Sequence, residues 1–279
     1  MINCNGSIVS NDTSLLTQNR AFLYGDAVFE TVKIVNSKIL FLEDHYFRLM
    51  SSMRVIRMEI PMNFTMEYLE EQILALATAK NEATAARARI TVYRNEGGYY
   101  LPKTNTVSFL INVESLDNTV YAVNEGEYVV DLYTDFYVTK HLLSSIKTTN
   151  KIINITASIF ADENGLDNCL LLNDSKNVVE ALQGNIFMLK GNRLITPPVS
   201  EGCLNGVMRK QILALARKME NLEVVEEAIS PFDLQKSDEL FITNVIKGIQ
   251  PVTKYRKKEF ATNLSRLLLQ KLNEAVSGN

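Results

Sequence analysis

Residues 27–56 read AVFETVKIVNSKILFLEDHYFRLMSSMRVI, and their hydrophobic period changes partway along. From Ala27 to Leu42 apolar and polar residues alternate, which sends successive side chains to opposite faces of a strand. Asn36-Ser37 interrupts the run and marks a hairpin turn. Beyond it, Leu42, Tyr46, Leu49, Met53 and Ile56 recur at steps of 4, 3, 4 and 3, the apolar stripe of an amphipathic helix. A strand pair that runs straight into a helix points to an α+β domain. Pro61 ends this unit. NFTMEYLEEQILALATAK then reads as a second helix, with Asn63 or Thr65 as its N-cap and Leu69, Ile73 and Leu76 on one face. RARITVYR and TVSFLINVE read as strands on either side of the loop NEGGYYLPKTN. Strand, strand, helix, helix, strand, strand gives an N-terminal α+β domain over residues 1–115.

Residues 116–122, LDNTVYA, read as a connector, and residues 123–279 as a C-terminal domain. Strands are expected near YVVDLYT, NCLLLN, VVEAL and DELFITN. A helix is expected in TNKIINITASIFADEN, closed by Gly165. NIFMLKGNRLITPP has the pattern of a hairpin turning at Gly191-Asn192. NGVMRKQILALARKM is a helix, and a last helix starts near Asn263.

Bulk composition narrows the function classes. The chain has 279 residues, is 46% hydrophobic and 22% charged, and carries a formal charge of −3. That is a globular composition without the basic excess of a nucleic-acid binder. No apolar run approaches the roughly 18 residues needed to span a bilayer. The start, MINCNGSIVSNDTS, lacks the basic and apolar regions of a secretory leader. Three scattered cysteines, Cys4, Cys169 and Cys203, suit reduced thiols and a cytoplasmic setting. With only His45 and His141, no metal site is expected, and both histidines and the cysteines read as structural. P-loop, dinucleotide and nucleophile-elbow motifs are all absent. The sequence therefore points to chemistry carried by something other than the chain's own side chains, or to no catalysis at all.

Three positions stand out. Lys147, in SSIKTTN, has Leu142, Leu143 and Ile146 before it and Ile152 and Ile153 after it. It is either a surface lysine at an element boundary or an amine whose apolar setting favours the neutral, reactive form. Glu180 ends the apolar run of VVEAL, as a solvated strand end or as the partner of a buried cation such as a pyridinium nitrogen. Arg48 lies off the apolar stripe of the first helix, as a solvated arginine or as a bidentate phosphate clamp. Gly206 opens a helix whose N-terminus suits an anion, and FITN leads into a loop at 245–248.

Taken together, YGDAVFETVK, LEDHYFRLMSS, SSIKTTN, VVEALQGNIF, RLITPPVSEGCLNGVMRK and FITNVIKGIQPV follow the order and spacing of the class IV aminotransferases. The chain therefore resembles the fold-type IV pyridoxal-phosphate enzymes from about residue 20 to about 255. That family contains branched-chain and D-amino acid aminotransferases and aminodeoxychorismate lyases. The resemblance implies a smaller N-terminal α/β sandwich, a larger β-barrel-like C-terminal domain with helices, a site in the cleft between them, and a homodimer. It implies that Lys147 forms the internal aldimine with pyridoxal 5'-phosphate and shuttles the substrate proton, and that Glu180 holds the pyridine nitrogen. Arg48 would bind the phosphate together with Gly206, Val207, Met208, Asn244 and Val245.

The resemblance leaves the substrate open. Phe29, Glu30, Arg94, Tyr99, Tyr100, Leu182 and Gln183 are candidates for the substrate pocket. D-amino acid aminotransferases place an arginine and a histidine in the loop that here reads RNEGGYYLP; Tyr99 and Tyr100 stand at that place instead, and Arg94 lies earlier. Ile152 stands where branched-chain enzymes carry a tyrosine, and Asn150 looks more like the D-amino acid and lyase branches. The leading expectation is amino transfer between a small or apolar amino acid and a 2-oxo acid. Aminodeoxychorismate lyase is the alternative, and a non-catalytic cofactor-binding dimer is the third. None of these involves nucleic acid or a membrane.

Overall fold

The computed structural model describes residues 1–10 and 18–277; residues 11–17, part of the N-terminal stretch examined for a leader, lie outside the described residues. The chain divides into two compact units, Met1–Thr119 with Ile146–Asn150, and Val120–Ser145 with Lys151–Asn279.

The first unit is a six-stranded antiparallel sheet with two helices on one face. Its strands are β1 (Ile2–Cys4), β2 (Ser7–Val9), β3 (Ala27–Val35), β4 (Lys38–Ile39), β5 (Ala85–Arg94) and β6 (Val107–Ser115), in the spatial order β2-β1-β6-β5-β3-β4. A short helix α1 (Arg20–Tyr24) precedes β3, and α2 (Leu42–Val55) and α3 (Met66–Ala79) follow β4. The anticipated hairpin forms. Asn36 and Ser37 both take positive φ, 49° and 60°, the two-residue turn whose twist matches paired strands. The second strand is shorter than the alternation suggested, because Phe41 already takes φ 56° and starts α2. Thr65 proves to be the cap of α3, its hydroxyl accepting from Tyr68 N–H at 3.2 Å.

Alternation along β3 and β5 sorts side chains to two faces. Val28, Val32 and Ile34 join Ala86, Ala88, Ile90 and Val92 in a core with Leu49, Met53, Leu69, Ile73 and Leu76 from the helices. The other face carries Phe29, Thr31 and Lys33, opposite Thr91, Arg89 and Arg87 of β5, which in turn face Leu110, Asn112 and Glu114 of β6. This second face of β3 is not a solvent face, since Phe29, Thr31 and Lys33 are all buried.

The second unit holds ten strands. They are β7 (Val129–Val138), β8 (Asn168–Asn173), β9 (Val178–Ala181), β10 (Gly184–Lys190), β11 (Arg193–Thr196), β12 (Glu223–Glu226), β13 (Glu239–Asn244), β14 (Gly248–Val252), β15 (Lys254–Tyr255) and β16 (Lys258–Glu259). The sheet is mixed: β7 runs parallel to β8 and to β15, and β10 pairs with β9, β11 and β13. Helices α4 (Ile152–Glu163), α5 (Val207–Ala216), α6 (Pro231–Leu234) and α7 (Asn263–Ser277) complete it. Glu239 caps α7, its carboxylate accepting from Leu264 and Ser265 N–H. Among the described residues no helix is long and apolar enough to cross a membrane, and no group of side chains suits a metal ion.

The unit boundary at Thr119/Val120 lies inside the connector read at 116–122. One placement differs from the sequence reading, which carried Lys147 with the C-terminal domain. Residues Ile146–Asn150 group with the first unit because they bond to the start of β3. Phe29 N–H donates to Lys147 O at 2.8 Å, Thr149 N–H donates to Ala27 O at 3.1 Å, and Val28 bridges Thr148. Continuity of the chain cannot show such an exchange.

Candidate active site

In the first unit the chemistry-bearing groups surround β3. Lys147 is tied through its backbone to Phe29, and its Nζ lies 4.6 Å from the centroid of the Phe29 ring. The guanidinium carbon of Arg89 lies 3.7 Å from the same centroid. Arg89 Nε donates to Thr91 Oγ1 at 3.3 Å, and among the described residues no carboxylate pairs with it. Burial first, and then the charge of Arg87, hold the Arg89 guanidinium below its usual range. Burial does the same to the Lys33 ammonium. Three cations thus share one sheet face, where Arg87 pairs with Glu114 at 3.1 Å. Crowding of like charge is costly unless an anion joins it.

The opposite face of β3 holds a different cluster. Glu30 is buried, and its Oε1 accepts from Arg48 Nε at 2.7 Å while Oε2 accepts from Arg48 Nη2 at 2.6 Å. His45 Nδ1 lies 2.8 Å from Oε2. Burial pushes the Glu30 carboxyl up, but the charge of Arg48 and the bonds from His45 and Arg48 outweigh it and bring it down to about 2. Glu30, read as a pocket residue, therefore points to α2, away from the Phe29 face. His45, read as structural, belongs to this cluster.

Arg94 is corrected as well. It is buried, and its donors are consumed by Asp26, Asn105 and the carbonyls of Ile56 and Arg57. A side chain so engaged holds structure. Arg20 shares Asp26 at 2.8 Å and donates to the carbonyls of Gly97, Gly98 and Tyr99. This fixes a loop in which Gly98 has φ 78° and a Cβ would meet Leu101 O at 2.1 Å. The loop carries Tyr99 and Tyr100 at the surface of the chain, 82% and 92% exposed, with Tyr100 edge-on to Tyr24 at 5.9 Å.

In the second unit Glu180 sits within β9, buried, and its Oε2 accepts from Leu204 N–H at 2.9 Å. Gly206 is the N-cap of α5, which begins with the buried Val207 and Met208. A Cβ on Gly206 would lie 2.0 Å from Asn185 Oδ1, and Asn185 in turn donates to Leu204 O. Asn244 folds its Oδ1 back onto Ile246 and Lys247 N–H, and Val245 O accepts from Tyr121 Oη at 2.8 Å. Next to Asn244, Thr243 Oγ1 is buried and without a partner. Leu182 joins the apolar core around Tyr133, Ala157 and Cys203. Its neighbour Gln183 is exposed in the β9–β10 turn.

The model of the family described as amino-transferase class IV matches residues 27–255. The chain belongs to the class IV aminotransferases. A putative branched-chain-amino-acid aminotransferase of Methanocaldococcus jannaschii is 30% identical over 89% of this chain and 85% of its own length. A D-alanine aminotransferase of Bacillus licheniformis is 25% identical over 85% and 81%. The solved branched-chain aminotransferase of Thermoproteus uzoniensis with norvaline matches this class IV chain at a TM-score of 0.87 and 20% identity, over 99% of this chain and 94% of that one. The fold is therefore that of the fold-type IV aminotransferases.

Sequence reasoning missed Arg89. It looked for an arginine in the loop after β5, whereas the structure brings the Arg89 guanidinium on the strand itself to the ring beside Lys147. The signal was parity: Arg89 lies an even number of residues from Arg87 and Thr91, on the strand face that register sets opposite Phe29, Thr31 and Lys33.

Proposed function

We propose that this class IV aminotransferase moves an amino group between an amino acid and a 2-oxo acid using pyridoxal 5'-phosphate, with Lys147 as the reactive amine. The carrying observation is the shared Phe29 ring, with Lys147 Nζ at 4.6 Å and Arg89 at 3.7 Å. It puts a primary amine and a carboxylate-binding cation on one apolar support.

The donor set fits the cofactor. The first unit offers the Lys147 amine and the Arg48 guanidinium, and the second unit the buried Glu180 carboxylate and a helix start at Gly206 with no room for a side chain. When bound, pyridoxal phosphate supplies an aldehyde carbon for the amine and a ring that takes up electrons. The protein's share is then positional and protonic. Lys147 Nζ would take the proton from the substrate Cα and deliver it to the cofactor's aldehyde carbon. Glu180 keeps a proton on the ring nitrogen. Arg48 of the first unit would bind the phosphate, as would the α5 N-terminus at Val207 and Met208 and the Asn244–Val245 loop of the second. Arg89 holds the substrate carboxylate, the role left unassigned by the loop at 95–102.

Two measurements check this at residue level. Glu180→Gln should lower turnover by about tenfold or more while cofactor occupancy changes little, since the electron sink weakens and the other contacts stay. Equal turnover would give the ring nitrogen to another group. Arg89→Leu should raise the amino-donor concentration for half-saturation about 10- to 100-fold, the range for hydrogen bonds to charged groups. An unchanged value would return Arg89 to a structural role.

One observation favours the lyase reading: the row Lys33, Arg87 and Arg89 suits a substrate with two carboxylates, as in aminodeoxychorismate. Absorption spectra of the loaded protein with single amino acids separate the two. Conversion of the cofactor by an amino donor alone supports the transaminase, and pyruvate release from aminodeoxychorismate supports the lyase. We also infer the homodimer and cytoplasmic setting expected of the sequence. Exposed Phe22, Leu23, Tyr99, Tyr100 and Leu101 in the first unit, and Ile152, Ile155 and Ile159 along α4 in the second, support self-association. Three free thiols support the location.

A further inference from the structure

We infer that Glu30, backed by His45, is a positioning residue for Arg48, holding its guanidinium ready for the phosphate of the cofactor; the inference rests on the phosphate-binding role proposed for Arg48. Helix α2 places His45 and Arg48 three residues apart, so both reach the same side. β3 presents Glu30 to them from its helix-facing side, between Val28 and Val32. The Arg48 contact is a fork, with Nε on Oε1 at 2.7 Å and Nη2 on Oε2 at 2.6 Å. A fork fixes the plane of the guanidinium as well as its position. An arginine gives up much of its rotamer freedom when fully ordered. Glu30 imposes that order before any ligand arrives.

His45 makes the carboxylate itself rigid. Its Nδ1 is 2.8 Å from Oε2, and its Nε2 is buried with no hydrogen-bond partner. Nδ1 is therefore the ring nitrogen that donates to Glu30. A buried ion pair is in general a weak source of stability, and apolar side chains of similar volume do as well. Val28, Val32 and Ile34 around Glu30 show that β3 supplies such side chains here. A carboxylate among them is better explained by what it orients.

Glu30→Asp tests this while keeping the charge, because it only draws the carboxylate back by one methylene. Apo protein is titrated with pyridoxal phosphate and, separately, with pyridoxal, which lacks the phosphate. Affinity for pyridoxal phosphate should fall about tenfold, and affinity for pyridoxal should stay within about twofold. In an Arg48→Ala background the same substitution should have no further effect, as expected for groups that act as one unit. Equal losses for both ligands, or an undiminished effect without Arg48, would overturn the inference and leave Glu30 a structural ion pair. If Arg48→Ala alone leaves pyridoxal phosphate affinity unchanged, the phosphate role of Arg48 fails and the inference with it. Thermal unfolding of the apo variants checks that each is folded, and Glu30→Gln runs through the same cycle if the aspartate variant is not.

Discussion

Lys147→Ala should reduce turnover by at least about a thousandfold, since it removes both the amine that binds the cofactor's aldehyde and the base at the substrate Cα. General acid–base catalysis alone accounts for factors of about 10²–10⁴. The fold should survive. Lys147 is anchored through its backbone, with Phe29 N–H donating to its carbonyl at 2.8 Å, and that bond is untouched by truncation of the side chain. Loss of the contact with Phe29 costs on the order of 1 kcal/mol. The measurement is borohydride reduction of the cofactor-loaded protein followed by peptide mapping. Wild type should carry the label on the peptide containing Lys147. The variant should carry none there and should still bind cofactor non-covalently through the remaining groups. Label on another lysine of wild type, or turnover within tenfold in the variant, would return Lys147 to the plain reading of a boundary lysine.

How much of this was legible in the sequence follows from which interactions are local. The switch from period 2 to period 3.6 at Leu42 announced β3, its turn and α2, because burial of one face repeats with the geometry of each element. Thr65 was legible as a cap for the same reason, since its partner is three residues away. Motif order carried the family, and with it Lys147, Glu180 and Arg48 as candidates. Whatever depends on register was hidden. Arg89 faces the Phe29 side only because β5 pairs with β3 in the observed register. A one-residue slip would have sent Arg94 to that side and Arg89 to the helices. Glu30 and Arg94 were misread for the same reason: their partners are 18 residues away in α2 and 68 residues away at Asp26. The exchange of Ile146–Asn150 into the first unit is likewise a tertiary bond pattern with no local signature.

The network behind that misreading carries the largest stability effect we expect. Asp26 is shared by two buried guanidiniums, Arg20 Nε at 2.8 Å and Arg94 Nε at 3.0 Å. Their side chains are only 3% and 6% exposed. The remaining acceptors of both arginines, the carbonyls of residues 56, 57 and 97–99 and the Asn105 side chain, are neutral. Asp26→Ala therefore strands two buried positive charges on neutral acceptors. Removal of one partner from a buried pair costs about 3–5 kcal/mol. For a chain of this size that corresponds to a fall of the order of 10 °C in the unfolding midpoint. Arg94→Met removes one of the two charges and leaves Asp26 paired with Arg20, so it should cost less. That order, aspartate worse than arginine, is what a shared counter-ion requires, and it reverses if Arg94 matters through its carbonyl contacts instead. A local readout accompanies the global one. Arg20 grips the carbonyls of Gly97, Gly98 and Tyr99, so loosening Arg20 should release the loop that carries Tyr99 and Tyr100. Chymotrypsin should then cut there faster in Asp26→Ala than in wild type, at temperatures well below unfolding. If the midpoint drops but cleavage at these tyrosines does not rise, Asp26 acts on the strand and helix around Arg94, and the loop is held by other means.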